Sequence, residues 1–208
     1  YNPTNPNLLV TNLQAKFTKG NDRLQAVRDT KQPFDSVTGA RQLLFQPLKP
    51  LATRVINSLI AQDAPSTVIK DARTIIRKLT GKRADTTDKS TKNSVSVSQQ
   101  SYDRLVDSFQ NLIVLVETEA SYNPNEDDLT ITALQAYYTS LTTMNTQVRN
   151  LAVPYYNALI ERDNELYHSE TGLLEIAKNV KNYAKSAFGA SSPQYRQISG
   201  LVFKKPAE

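Results

Sequence analysis

The sequence predicts an all-α protein, specifically an antiparallel helical bundle built from an internally duplicated helical unit. The opening stretch YNPTNPNLLVTNLQAKFT returns from residue 122 as YNPNEDDLTITALQAYYT. Apolar residues recur at steps of three, four and seven, the spacing of one helix face. The only strand-like run, ISGLVF near the C-terminus, has no second run of convincing length with which to pair. These three observations together favour a bundle of helices.

The repeat is carried by the first 29 residues. A shift of 121 aligns residues 1–29 with 122–150, and 11 of the 29 positions are identical, where chance gives about two. Tyr-Asn-Pro opens both copies and is expected to lie just outside each helix start, where Asn7 and Asp128 are the candidate N-caps. We therefore expect two helices that pack by the same face. Its apolar positions are Val10, Leu13, Phe17, Leu24 and Val27 in the first copy, and Ile131, Leu134, Tyr138, Asn145 and Val148 in the second.

A second correspondence needs a shift of 108 and pairs residues 67–81 with 175–189. It aligns three basic residues of each segment and ends both segments on a glycine, Gly81 and Gly189. Each unit is therefore predicted to close with a basic helix and a left-handed glycine C-cap. The aligned cations are Lys70, Arg73 and Arg77 in one segment, and Lys178, Lys181 and Lys185 in the other.

The helices follow from the apolar period and its breaks. Pro47 and Pro50 are expected to break or kink the second helix, and the last helix is expected to break near His168 and to be recapped by Ser169. ISGLVF is expected to lie extended. The predicted helices span 7–29, 34–62, 66–80, 99–119, 128–149 and 153–188. The predicted units are 1–84, a polar linker at 85–98, and 99–208 with its tail.

Composition excludes several classes of protein. The chain has no cysteine and a single histidine, His168, which excludes disulfides, thiolate catalysis and a multi-histidine metal site within one chain. No apolar run approaches the roughly 20 residues of a membrane helix, so we expect a soluble protein, with the cytoplasm slightly favoured. Residues 1–92 carry a net charge of +9 and residues 93–208 one of −4. Either the two halves attract each other, or the basic half faces a polyanion.

No catalytic set assembles in the sequence. His168 has Glu165 and Glu170 nearby, as a general acid or base would, but no activated nucleophile accompanies it. A single histidine cannot supply the two Glu-x-x-His pairs of a di-iron bundle, and no glycine-rich phosphate loop is present. We therefore expect a non-enzymatic protein without a catalytic residue, a metal or a cofactor.

Two surfaces are candidates for binding. Tyrosine and arginine are favoured at interface hot spots, and four such residues of the second half form a possible partner-binding set: Tyr137, Tyr156, Arg149 and Arg162. A cluster of cations marks a possible anion-binding helix over 70–83. Its residues are Lys70, Arg73, Arg77, Lys78, Lys82 and Arg83.

The C-terminal run LYHSETGLLEIAKNVKNYAKSAFGASSPQYRQISGLVFKK resembles a group of uncharacterised all-helical bacterial proteins. The similar segments are TGL at 171–173, VKxY at 180–183 and FGxxS at 188–192. The resemblance implies a helical bundle and carries no activity with it.

These observations lead to one expectation about function and one alternative. We expect a macromolecular interaction or structural module whose unknown partner is a protein, with homo-oligomerisation as one possibility. The alternative is a nucleic-acid or anionic-surface binder that uses the basic helix over 70–83. The sequence disfavours nucleic acid without excluding it, because no aromatic residues interleave the cations.

Overall fold

The computed structural model describes residues 1–81 and 100–205, and all regular secondary structure in these ranges is helical. The prediction of an all-α protein is confirmed at this level. Two short 3-10 turns, Pro6–Leu8 and Asp127–Leu129, precede the two longest helices. The helices are α1 (Val10–Phe45), α2 (Leu48–Ala61), α3 (Ser66–Thr80), α4 (Tyr102–Glu117), α5 (Ile131–Tyr167), α6 (Leu173–Phe188) and α7 (Pro193–Ser199).

The chain forms two compact units, and α1 and α5 each contribute to both. Unit 1 comprises residues 1–35 and 150–208, and unit 2 comprises residues 36–149. These units are defined by contacts in space. The division at 1–84 and 99–208 is defined by a sequence repeat and stays a prediction, and the linker predicted at 85–98 lies outside the described residues.

Two predicted helix breaks are wrong. The sequence predicts separate helices before and after residues 30–33, and again around residues 150–153. In the structure α1 and α5 run without interruption past Pro33 and Pro154. A proline removes one intrahelical hydrogen bond. Each of these helices continues for several turns before and after its proline, and the remaining hydrogen bonds hold the helix together. The break expected at Pro47 is confirmed, since α1 ends at Phe45 and α2 starts at Leu48.

The two Tyr-Asn-Pro stretches form the same local structure. Tyr1 donates its hydroxyl to the carbonyl of Leu8 at 2.8 Å, and Tyr122 donates to the carbonyl of Leu129 at 2.7 Å. In each case the bond spans seven residues and closes over a 3-10 turn. Burial, helped by nearby carboxylates, raises the pKa of Tyr122 to about 12. The tyrosines therefore hold the start of each long helix.

The predicted N-caps are displaced by a few residues. Asn7 and Asp128 lie inside the 3-10 turns. Asn5 accepts the amide of Asn7 at 3.0 Å, and the hydroxyl of Thr130 accepts the amide of Ala133 at 3.2 Å. Asn5 therefore caps the first 3-10 turn, and Thr130 caps α5 itself.

Unit 2 contains a closed hydrophobic core. The core is one cluster of buried residues that runs from Phe45 to Leu141, and α4 contributes a full stripe to it. Helix α4 packs along α3 and touches α2. Its buried side chains are Leu105, Val106, Ser108, Phe109, Leu112, Ile113 and Val116. This is the stripe predicted over 99–119, and Ser101 caps the helix.

Unit 1 is less completely closed. Its large buried apolar side chains within the described residues are Leu8 and Ile176. Helix α5 ends at Tyr167, as the predicted break near His168 requires, but Gly172 rather than Ser169 stands at the N-cap of α6. A Cβ at Gly172 would come within 2.6 Å of the backbone of His168, so only glycine fits this turn.

Of the two predicted left-handed glycine C-caps, one is confirmed and one is wrong. Gly81 adopts the left-handed conformation expected of a C-cap, with φ of 74° and ψ of 15°. Gly189 has a positive φ of 90° but an extended ψ of 154°, so it is not a left-handed cap. The tail is also partly helical, because α7 includes the start of the ISGLVF run that was expected to be extended.

Candidate functional site

Helix α4 lies against the first half of α5 in unit 2. The rings of Phe109 and Tyr137 meet edge to face, with centroids 5.6 Å apart. At one end of α4 the carboxylate of Asp103 accepts from Arg149 at 3.2 Å. At the other end Glu117 accepts from Gln135 at 3.2 Å. The two helices therefore run in opposite directions over 14 residues each.

The face of α5 that packs on the core of unit 2 is closed. Leu134 is fully buried, and Ile131 and Tyr138 are half-buried and pack on the core cluster. Asn145 is also buried and donates to Asp103 at 3.0 Å. This is the stripe that the sequence repeat assigns to the second copy.

The matching stripe of the first copy is open. By the shift of 121, Val10, Leu13 and Phe17 of α1 correspond to Ile131, Leu134 and Tyr138. Val10 is 56% exposed and Phe17 is 62% exposed, while Leu13 is half-buried. Phe17 is therefore exposed at a position that is half-buried in the other copy. We call these three residues the α1 stripe.

An apolar groove of about 200 Å³ joins the α1 stripe at Leu13. Its floor is one face of α6, and its far wall is formed by α7 and the segment that follows it. Leu201, on that wall, is 51% exposed. The lining residues are Leu13, Leu173, Ile176, Ala177, Val180, Lys181, Ile198, Leu201 and Phe203. The groove and the α1 stripe together are called the open face.

The correspondence at a shift of 108 pairs α6 with α3, and it gives no indication of the groove. In chain order the helix after α1 is α2, and the helix after α5 is α6. A shift of 125 places Leu48, Ala52, Val55 and Asn57 of α2 on identical residues of α6. On α2 the first three are fully buried, whereas their counterparts Leu173, Ala177 and Val180 line the groove. The alignment at a shift of 125 is the sequence signal that could have revealed the groove.

The C-terminal segment that forms most of the groove carries an excess of cations, and one of them, Lys181, lines the groove. Helices α6 and α7 and the residues up to 205 contain six cations and one carboxylate, Glu175. Lys181 donates to the carbonyl of Leu201 at 2.7 Å, which fixes the segment that forms the far wall. Arg28, the counterpart of Arg149, is exposed and forms no ion pair with any described residue. The cations are Lys178, Lys181, Lys185, Arg196, Lys204 and Lys205.

The four residues predicted to bind a partner fall in different surroundings. The hydroxyl of Tyr137 donates to the carbonyl of Leu44 at 2.7 Å, and burial raises its pKa to about 12, so this side chain is already engaged within unit 2. Helix α4 covers that side of α5. Arg149 is engaged with Asp103, and Arg162 with the neighbouring Asp163. Tyr156 is 55% exposed.

The predicted anion-binding cations are exposed along α3. Lys70, Arg73, Arg77 and Lys78 all point to solvent, and none forms an ion pair with a described residue. Helix α3 therefore presents four cations against one carboxylate, Asp71. Lys82 and Arg83 lie outside the described residues.

His168 belongs to a polar cluster in unit 1. Its Nδ1 accepts the amides of Glu170 and Thr171 at 3.2 and 3.3 Å, so the ring closes the turn after α5. Nearby Glu165, which is 7% exposed, pairs with Lys16 at 2.6 Å and Lys19 at 2.9 Å. Burial opposes ionisation of Glu165, but the two ammonium groups outweigh it and lower its pKa.

Ion pairs join the basic and acidic parts of the sequence. Arg23 pairs with Glu161 in unit 1, and Arg54 pairs with Asp128 in unit 2. Together with Lys16, Lys19 and Glu165, they accord with the interpretation that the two halves of the sequence attract each other. None of these ion pairs involves a cation of α3.

Among residues 1–81 and 100–205 the structure brings no three metal-ligating side chains into one cluster. No helix in the same ranges is long and apolar enough to cross a membrane. Comparisons with family models, with curated proteins and with solved structures found no match. The resemblance to uncharacterised bacterial helical proteins stays a prediction.

Proposed function

We propose that the protein is a non-enzymatic interaction module, an antiparallel helical bundle that arose by duplication and binds another protein through the open face of unit 1. The observation that carries the proposal is the unequal state of two matching surfaces. Leu134 is fully buried in unit 2, whereas its counterpart Leu13 borders an open groove in unit 1. An apolar surface of this kind favours a protein partner.

The duplication is supported by local geometry. Both copies repeat the tyrosine-to-carbonyl bond, the 3-10 turn and the long helix with an internal proline at the same register. One further contact joins equivalent positions in both units, as a hydrogen bond in unit 2 and as an ion pair in unit 1. Tyr137 contacts Leu44 in unit 2, and their counterparts Lys16 and Glu165 form an ion pair in unit 1.

Most exposed apolar side chains lie in unit 1. Ten of the thirteen large hydrophobic residues that are exposed within the described ranges belong to it. Single exposed apolar residues are ordinary, but Val10 and Phe17 lie one turn to either side of Leu13, which lines the groove. The same arrangement supports binding rather than catalysis, because Glu165 is held by two lysines and His168 closes a turn.

Site-specific photo-crosslinking in the source cell tests this function. A photoreactive residue replaces Phe17 in the open face, and Leu43, which is 66% exposed on α1 in unit 2, provides the matched control. We expect a defined protein to crosslink from position 17 alone and to bind again when both proteins are purified. Equal labelling from both positions, or none from position 17, would contradict the proposed function.

Anion binding through α3 is a second candidate function. The observation that favours it is the set of four exposed cations without carboxylate partners among the described residues. A polyanion that neutralises them should bind with a steep salt dependence, with a slope in log K of about −0.7 to −0.9 for each phosphate contact. A gel-shift titration across salt, with Arg73→Ala/Arg77→Ala as the variant, tests it. Binding that does not weaken with salt would reject it.

A further inference from the structure

We infer that the partner of unit 1 is an acidic amphipathic helix with the residue spacing of α4, bound antiparallel to the first half of α1. This inference rests on the proposed function and names the chemistry of the partner. Three features of the molecule lead to it: the element that packs on α5 in unit 2, the residues that anchor the two ends of that element, and the charge of the segment that forms the groove in unit 1.

In unit 2, helix α4 packs on the first half of α5. It buries Phe109, Leu112 and Ile113 in the core cluster that also contains Leu134, and Phe109 contacts Tyr137 of α5. The described part of unit 1 contains no helix in this position. An amphipathic helix that inserts its apolar face into a groove is a common mode of peptide recognition. The same class of element therefore fits the open face.

The anchors at the two ends set the direction of the partner. In unit 2, Arg149 holds Asp103 at the start of α4 and Gln135 holds Glu117 at its end. The shift of 121 places Arg28 and Gln14, identical residue types, at the corresponding positions of α1. Both pairs are 14 residues apart, about 21 Å along a helix. A partner helix of four turns would place an acidic residue at Arg28.

Charge complementarity selects an acidic partner. Helix α4 has three carboxylates and one cation, and it packs on the cationic helix α3. Residues 173–205, which form most of the groove in unit 1, are also cationic: they contain six cations and one carboxylate, Glu175, which pairs with Lys178, and Lys181 lines the groove. Complementary charges raise the association rate and fix the register of binding. This excess of cations disfavours a basic helix as the partner.

The probe for this inference is a labelled peptide with the sequence of residues 101–119, added to the intact chain and followed by fluorescence anisotropy. We expect saturable binding at one peptide per chain. Phe17→Asp and Leu201→Asp should each weaken it about tenfold or more. Leu43→Asp, the matched control, should change it less than about twofold. Circular dichroism of each variant checks that its helices are retained.

A charge exchange tests the direction of binding. Replacing Asp103→Lys in the peptide should weaken binding about three- to tenfold, and Arg28→Glu in the chain should restore it. A peptide with Leu112→Pro should not bind, because proline breaks the helix that the groove requires.

Three results would overturn the inference. They are an absence of saturable binding, equal weakening by Phe17→Asp and Leu43→Asp, and a chain dimer in sedimentation that Phe17→Asp disperses. The dimer would identify a second copy as the occupant. If the peptide fails while crosslinking from position 17 still identifies a partner, the partner chemistry is wrong and the proposed function stands. If both fail, the proposed function falls as well.

Discussion

The hydroxyl of Tyr122 donates a hydrogen bond to the carbonyl of Leu129 at 2.7 Å, and Tyr122 is 7% exposed. Tyr1 makes the same bond to Leu8 but is 47% exposed. Removing a donor costs more where the acceptor is left buried. Tyr122→Phe should therefore lower the free energy of unfolding by about 1–2 kcal/mol, and Tyr1→Phe by less than half of that. Urea denaturation followed by circular dichroism measures both, and equal losses would contradict the burial argument.

Glu165 should make the stability of unit 1 depend on pH. Its pKa is lowered in the folded protein, so its contribution is present above its ordinary value of 4.5 and is lost as the pH falls through the lowered pKa. Glu165→Gln should cost about 1–2 kcal/mol at neutral pH and progressively less below 4.5. Denaturation of the wild-type protein and of the Glu165→Gln variant, from neutral pH to below 4.5, tests the expectation.

Glu161→Gln is the matched control for that experiment. Glu161 also pairs with a cation of α1, but it is 53% exposed. An exposed ion pair contributes about 0–1 kcal/mol. A loss as large as that of Glu165→Gln, or a loss that persists in acid, would show that burial does not set the strength of the Glu165 pairs.

Gly172 should not tolerate a side chain. A Cβ there would lie 2.6 Å from backbone atoms of His168, which cannot move without opening the turn between α5 and α6. Gly172→Ala should destabilise the protein by about 2 kcal/mol or more. Gly39 lies within α1 and has no atom near its Cβ position, so Gly39→Ala should stabilise by about 0.5–1 kcal/mol. Thermal denaturation of the two variants should give shifts of opposite sign.

Leu13 and Leu134 provide the most closely matched pair for the open and closed faces. They are the same residue type at equivalent positions, but Leu134 is fully buried and Leu13 borders the groove. Leu134→Ala should cost about 2–5 kcal/mol, and Leu13→Ala about 1 kcal/mol or less. Equal costs in denaturation would mean that unit 1 is as closed as unit 2.

The sequence predicted the helical class and several boundaries because these depend on local signals. The stripe of α4 and the start of α3 at Pro65-Ser66 were found from period and proline placement. The continuity of α1 was missed because its apolar residues do not keep to one face along its length. A helix that contributes to two compact units changes its buried face, and a single-period search interprets that change as a break.

The candidate site was predictable only in part. The α1 stripe is evident from the repeat, but its exposure is not, because the same pattern is covered in one copy and open in the other. Tyr137 illustrates the limit. Helical geometry requires one ring of Tyr137-Tyr138 to face inward, but α4 packs over this side of α5 and both rings contact the core. Which surface is covered depends on tertiary packing.

Hydrogen exchange with and without the peptide of residues 101–119 tests the central claim most directly. If the open face takes a helix of the α4 type, amides within residues 10–28 and 173–188 should exchange more slowly, while those of 102–117 and 131–149 stay unchanged. Protection that appears over 131–149 would mean that the peptide replaces α4 in unit 2. That result, or no change in unit 1, would contradict the claim that unit 1 has a vacant helix-binding face.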